Sequence, residues 1–451
     1  MSAIIMSVSD VRAQHPDSSG TPSKDTTIVP RVDTTVVFET DTAAATPNDS
    51  FFLLKKKGFL GRLAKSITTD TSSDGNLVRL DYLYRGYRGR IIRSIEIRSV
   101  DFGVPINDTN RSFKNRLTRL ADKFHHTTRE YVVRKNLFFK EGEKLVPILL
   151  ADNERHLRDQ TYLNDVRIVV KRVLGTRDSV DIVVFTKDVL SIGGQFKMSS
   201  LTKVETAVRE DNFGGTGDKF QVGAFFDQKR ATKFGMGAEY ILRNVGGSFM
   251  DAQFGVRNYA NAFNTFEKQE QTAYALFTRP LVNPYTKWTY AFEAAYHKNR
   301  NMYASDSLFE AANRYQYYNI DAWIGFNKSA SIRSRDKEDD RLRSLFGLRF
   351  LHNEFHTLPQ KYDTVYYYQY ADLTGVLASM SIFRQDFYKT QYVYGFGRSE
   401  DVPEGLDISL TGGYTNKNNR KRPYIGLDMQ VNYFSKKNNY YNYTLRIGGY
   451  Q

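Results

Sequence analysis

Apolar and polar residues alternate, strand after strand, from Val189 to Gln451. Between Thr232 and Leu242 one face carries Phe234, Met236, Ala238, Tyr240 and Leu242, and the other Lys233, Gly235, Gly237 and Glu239, with Ile241 the one exception. Side chains of a strand have period 2, so such a segment is greasy on one face and wet on the other. Trp288, Tyr290, Phe292, Ala294 and Tyr296 repeat this against Thr289, Ala291, Glu293, Ala295 and His297. Ile425, Leu427, Met429, Val431 and Tyr433 do so against Gly426, Asp428, Gln430 and Asn432. About fourteen such segments are predicted, each roughly the 9–11 residues of a strand that crosses a bilayer at a tilt. The last is Tyr441 to Gly448. No apolar stretch is long enough for a membrane helix. The pattern predicts a mainly β protein whose residues 189–451 form a transmembrane antiparallel β-barrel.

A soluble sandwich or barrel also alternates, and aromatic placement separates the two. The chain holds 30 Tyr and 31 Phe among 451 residues. Many fall near strand ends, as at Tyr366, Tyr367 and Tyr368 or at Tyr440 and Tyr441, where a membrane barrel carries its interfacial girdles. The inward positions, rich in Gly, Ser, Thr, Asn, Gln and charges, suit a hydrated lumen better than a packed core. Lipid is therefore the first expected partner. A mean hydropathy of −0.52 would be wrong for a helical membrane protein but is expected of a barrel, where only every second strand residue meets lipid.

Cysteine is absent, which excludes a disulfide framework and a thiolate metal site. The net charge of +14 is spread through strands and loops among 50 acidic residues. It reads as attraction to anionic headgroups at the membrane rim rather than to nucleic acid.

Ahead of the strands the chain changes character. Ala3, Ile4, Ile5, Met6 and Val8, followed by Val11-Arg12-Ala13 before Gln14, read either as the end of a signal peptide (residues 1–13) whose start lies upstream or as no signal at all, the first being favoured. Residues 14–90 are expected to be a disordered leader, rich in Ser, Thr, Asp and Pro up to about Ser50. Within it, 51–67 is a candidate amphipathic helix. Phe59, Leu60, Leu63, Ala64 and Ile67 lie opposite Lys55, Arg62 and Lys65, and the helix lies either on a membrane or against the next domain. Residues 91–188 read as an α/β module. A strand at Ile91, Ile95 and Ile97 is followed by a helix over Thr127–Leu137 and a second helix from Pro147 to near Gln160, with Leu150 and Leu157 on one face. Two strands close the unit, marked by Val166, Ile168 and Val170 and by Val180, Ile182 and Val184.

That order resembles a POTRA domain, together with Phe139, Glu141, Gly142 and Glu143, then Leu150 to Asn153, Arg155, Leu157, Arg158, Tyr162, Leu163 and Asp165. In the resemblance Gly142 supplies the turn that sets the second helix, and Leu150, Leu157 and Tyr162 are structural. Asp211, Asn212, Phe213, Gly214, Gly215, Thr216 and Gly217 are similar to the Asn-Phe-x-Gly-x-Gly turn of the BamA/TamA family of outer-membrane assembly proteins. A phosphate-binding loop is the competing reading, and it lacks the following helix with Lys-Ser or Lys-Thr. Glu400, Asp401, Val402, Pro403 and Gly405 resemble a Val-Pro-x-Gly turn between two barrel strands of the same superfamily. The family pairs POTRA domains with a surface-antigen barrel of about sixteen strands, so the resemblance implies a chain truncated at its C-terminus. The family's Arg-Gly-Phe/Tyr lumen motif is missing after Val189, since Arg85, Gly86 and Tyr87 precede the module.

No Gly-x-Ser-x-Gly elbow and no His-Glu-x-x-His helix is present, and the chain is not expected to be an enzyme or to carry a cofactor or metal. Adjacent His125 and His126, and the acidic Glu338, Asp339 and Asp340, read as solvated loops. The resemblance implies a protein of the outer membrane of a Gram-negative bacterium, its module in the periplasm. It would insert barrel proteins or pass polypeptides, with periplasmic or lipoprotein partners. Unfolded outer-membrane or secreted polypeptides would be captured by β-augmentation at a strand edge, either Ile91, Ile95 and Ile97 or Val166, Ile168 and Val170. A passive pore or lipid-handling surface protein is the alternative.

Overall fold

The computed structural model describes residues 3–12, 80–101, 126–173, 175–283, 285–330, 342–390, 400–434 and 439–450. The candidate helix at 51–67, His125 and Glu338–Asp340 lie outside the described residues. In chain order the elements are β1 (Ala3–Arg12), α1 (Leu80–Tyr84), β2 (Ile91–Val100), α2 (Glu130–Lys135), α3 (Pro147–Arg158), β3 (Leu163–Arg172) and β4 (Ser179–Asp188). There follow β5 (Ile192–Ser200), β6 (Lys203–Glu210), β7 (Lys219–Asp227), β8 (Phe234–Leu242), β9 (Asp251–Asn261), β10 (Lys268–Arg279) and β11 (Trp288–Asn299). The last are β12 (Gln316–Asn327), β13 (Arg343–Thr357), β14 (Leu373–Thr390), β15 (Glu400–Lys417), β16 (Arg420–Phe434) and β17 (Asn439–Tyr450).

Strands β2, β4 and β3 form a three-stranded sheet in that order, β2 parallel and β3 antiparallel to β4. A parallel neighbour requires a crossover, and α2 and α3 supply it. Ile92, Leu150, Leu157, Val166 and Ile182 are fully buried between helices and sheet, each burial worth roughly 1.5–3 kcal/mol. Two expectations change here. Residues 127–129 are extended rather than helical, because the Thr128 and Arg129 amides donate to Asp188 and to Gly215 O instead of entering a helix. The stretch expected to be leader reaches into the core, since α1 buries Tyr84 against the module.

The second sheet has 14 strands in the order β1, then β17 back to β5. All its pairings are antiparallel between chain neighbours, apart from β1 on β17. Between Val189 and Gln451 the described residues give β5 to β17, and the fourteenth strand is β1, in the segment expected to be a signal peptide. Among the described residues no pairing joins β5 to β1, so the expected closed barrel is here a sheet with two edges.

Register makes one face continuous, because directly opposed residues share a face. Phe292 opposes Phe277 and Ala322, which opposes Phe350, which opposes Val376. Leu348 lies between Ile324 and Ala378, and Met380 between Phe346 and Leu410. Phe234, Met236, Val256, Leu348, Leu410 and Ile425 on this face are all exposed, 52–69% where the value is highest or most central. On the other face Lys219 pairs with Glu239 at 2.8 Å, Arg349 with Asp321 at 2.8 Å and Arg446 with Asp428 at 3.0 Å. The apolar residues thus occupy one face of the sheet and the paired charges the other.

The expected turn at Glu400, Asp401, Val402, Pro403 and Gly405 is corrected: all five belong to β15 and pair with β14. Pro403 is tolerated because pairing of β15 with β16 begins only at Gly405, so the missing N–H has no ladder to break. A Cβ at Gly405 would lie 1.9 Å from Arg384 O, which only glycine permits. Pairing of β13 with β14 ends at Phe383. Among the described residues, Asp386–Thr390 and Glu400–Glu404 therefore pair as strands only with each other, a two-stranded ribbon continuing past the sheet.

Candidate functional site

The α/β module sits on the turn end of the large sheet and grips four successive places there. The first is the turn between β6 and β7. Asn212 Nδ2 donates to His126 O at 2.9 Å and to Thr128 Oγ1 at 3.0 Å, while its Oδ1 accepts the Gly217 amide at 2.9 Å. Gly215 has φ +75°, and a Cβ there would meet Thr127 O at 2.6 Å. Gly217 leaves room for the ring of buried Tyr162, which would be 3.0 Å from an added Cβ. Asp211 pairs with Arg209 at 3.0 Å, and Phe213 turns outward to Phe220 and Tyr240, with ring centroids 5.7 and 6.4 Å away.

The turn between β8 and β9 is a second copy of the same device. Asn244-Val245-Gly246-Gly247-Ser248 follows the plan of Asn212-Phe213-Gly214-Gly215-Thr216, with φ of +61° and +76° at its glycines against +60° and +75°. Asn244 Nδ2 donates to Lys135 O at 3.0 Å and Asn136 Oδ1 at 2.9 Å, and its Oδ1 accepts the Phe249 amide at 2.8 Å. Sequence reading singled out the first turn only. The recurring Asn-x-Gly-Gly-Ser/Thr was the signal that would have found the second.

The third grip is apolar: Tyr285, between β10 and β11, packs on Ile148 and Leu149 of α3. The fourth is ionic, at the projecting ribbon. Arg158 donates from Nε and Nη2 to both oxygens of Asp401, at 2.8 and 3.0 Å. Lys389 Nζ lies 3.3 Å from Glu154 Oε1, and Arg155 stacks 3.9 Å over the Phe387 ring. Glu154 and Arg158 are buried, and Arg158 Nη1 also donates to Glu154 at 2.9 Å. Burial alone would raise the Glu154 carboxyl, but Lys389, Arg158 and the Ile168 amide outweigh it and hold it at about 2.

The residues predicted to offer a strand edge sit differently from expectation. Ile95, Val166 and Ile168 point into the core, Ile97 and Val170 pack against it, and Ile91 is exposed. Their outward backbone groups are partly occupied. On β3, Ile168 N–H donates to Glu154 Oε2 at 2.9 Å, the Tyr84 hydroxyl donates to Ile168 O at 3.0 Å, and Arg158 donates to Val166 O at 3.1 Å. On β2, Glu143 and Gly142 bond Ile92, while Glu141 and Arg134 bond Ile95. Gly142 holds its turn with φ +83°. Among the described residues, nothing bonds the outward sides of Ile97 and Val170.

His156 lies in the same seat, its ring 5.0 Å from Phe138 and 5.7 Å from Phe249 of the second turn. Burial, with Arg155 adjacent, pushes its pKa down to about 4 from 6.5. The folded chain thus binds this proton less readily than the unfolded one, so stability is full above pH 6.5 and is lost as pH falls toward 4. Glu154 adds a second loss of the same sign, from 4.5 down toward 2. Melting of the full chain followed by circular dichroism should show a module transition that falls in these two steps. His156→Gln should remove the first; an unchanged profile between pH 6.5 and 4 would refute the assignment.

No family model and no curated protein matches the chain. Among solved structures it is similar to BamA from Haemophilus ducreyi lacking POTRA domains 1-3, at 11% identity over 80% of this chain and 85% of that one, with a TM-score of 0.32. It is also similar to CdiB from Acinetobacter baumannii (8%; 86% and 96%; 0.32) and CdiB from Escherichia coli (8%; 79% and 76%; 0.33). TM-scores this low carry neither fold nor function, which rest on the chain's own residues.

Proposed function

We propose that the chain is an outer-membrane protein of the BamA/TamA type that inserts barrel proteins or passes polypeptides, with the α/β module acting as a POTRA-like capture domain in the periplasm. The carrying observation is the apolar face that the register carries without a break from β10 to β15 of the large sheet. In water a surface of that size would drive association, whereas in lipid it is the ordinary exterior of a barrel. Capture uses the outward groups of Ile97 on β2 or Val170 on β3, where main-chain hydrogen bonds accept a client strand with little regard to sequence. A passive pore with the module as an anchor is the second reading, and the occupied edges at Ile92, Ile95, Val166 and Ile168 favour it.

Two measurements divide these readings. Unheated protein from outer-membrane fractions should run faster on a gel than heated protein. Reconstituted in vesicles, it should speed insertion of a urea-denatured small barrel protein, and Val170→Pro, which deletes an outward donor without touching the β3–β4 ladder, should slow that gain. Ion leakage with no effect on insertion would replace the assembly reading by the pore.

A further inference from the structure

We propose that the β3 edge and the seat of the module on the ribbon are two positions of one switch: an extended strand added along Val166–Val170 displaces Glu154 and Arg158 and thereby releases Lys389 and Asp401. This rests on the capture reading above and adds its consequence.

Beyond the open groups of Val170, the backbone groups that an added strand would bind are Val166 O, Ile168 N and Ile168 O. Arg158, Glu154 and Tyr84 hold these three. Glu154 and Arg158 also carry the ionic contacts to the ribbon, through Lys389 at 3.3 Å and both oxygens of Asp401. One carboxylate and one guanidinium therefore plug the edge and fasten the seat with different atoms of the same groups: Arg158 Nη1 and Glu154 Oε2 hold the edge, while Arg158 Nε and Nη2 and Glu154 Oε1 hold the ribbon. The side chains of Glu154, Arg158 and Asp401 are each 2–4% exposed. In such a site charges do not surrender partners singly, because an unpaired buried charge is costly. The exchange is concerted, and Glu154 and Arg158, four residues apart on α3, keep each other as they leave. By reciprocity, whatever loosens the seat must favour strand addition by the same factor.

The test uses the full chain in detergent micelles. Since it has no cysteine, Arg177→Cys and Lys421→Cys give two clean spin labels, one on the module and one at the far end of the sheet. The probe is a synthetic peptide of the sequence Asn439–Tyr450, and module binding is the part abolished by Val170→Pro. The switch predicts that peptide broadens the label distance, that Asp401→Asn broadens it without peptide, and that this variant binds peptide roughly tenfold more tightly. Lys389→Gln serves in its place if Asp401→Asn gives no heat-modifiable band. Equal affinities, with the distance unmoved by bound peptide, would overturn the switch and leave capture standing. Absence of any binding sensitive to Val170→Pro would overturn both.

Discussion

Replacing Arg158 with methionine should remove about 3–5 kcal/mol from the folded, seated module. The guanidinium is buried and makes four hydrogen bonds, two to Asp401 and one each to Glu154 and Val166 O. Methionine fills similar volume, so the loss is electrostatic rather than a cavity. Asp401 loses both its bonds to Arg158, and Glu154 keeps Lys389 as its remaining cation. Pulse proteolysis of the full chain in urea should report earlier cleavage within 91–188. The heat-modifiable band should persist, because Arg158 belongs to the module and the pairings of the large sheet are untouched. Cleavage at the native urea concentration would show that the network is ornamental.

Leu348→Arg should cost roughly 2–4 kcal/mol of membrane-folded stability, as charges at mid-height on a lipid-facing strand do. Leu348 is 52% exposed, flanked by Ile324 and Ala378 and well within the apolar face. Thr411→Arg, on the inward face opposite Ser379, should be tolerated. Urea unfolding from vesicles, read through Trp288 and Trp323, measures both. Equal penalties at the two positions would mean that the exposed face does not meet lipid.

Strand positions and faces were legible because period 2 is enforced locally: Phe234, Met236, Trp288 and Ile425 were placed on the greasy side and stand exposed there. Of the aromatics expected at strand ends, Tyr440 and Tyr441 do stand at the start of β17, though Tyr440 is buried, whereas Tyr366, Tyr367 and Tyr368 lie in the connection between β13 and β14, where Tyr367 packs with Tyr370. Pro403 and Gly405 misled, since the same residues that mark turns also suit an edge without a neighbour and a close backbone approach. The helix over residues 127–129 failed for a different reason, a competition with the Asn212–Gly217 turn that local propensity does not contain. In the site, apolar residues of β3 were recognised but their edge was not seen to be occupied. Arg158 and Asp401 are 243 residues apart, and no spacing rule joins them.

The projecting ribbon sets how the two parts of the molecule share force. Its five-residue pairing, Asp386–Thr390 with Glu400–Glu404, reaches about 17 Å past the last three-stranded row at ~3.3 Å per residue. A lone pair of strands is marginal in water. Among the described residues, the contacts of Lys389, Phe387 and Asp401 with α3 fasten it to the module. Seated, it is a strut that fixes the standoff between the module and the large sheet. Unseated, it would keep its length and lose those three fastenings to the module.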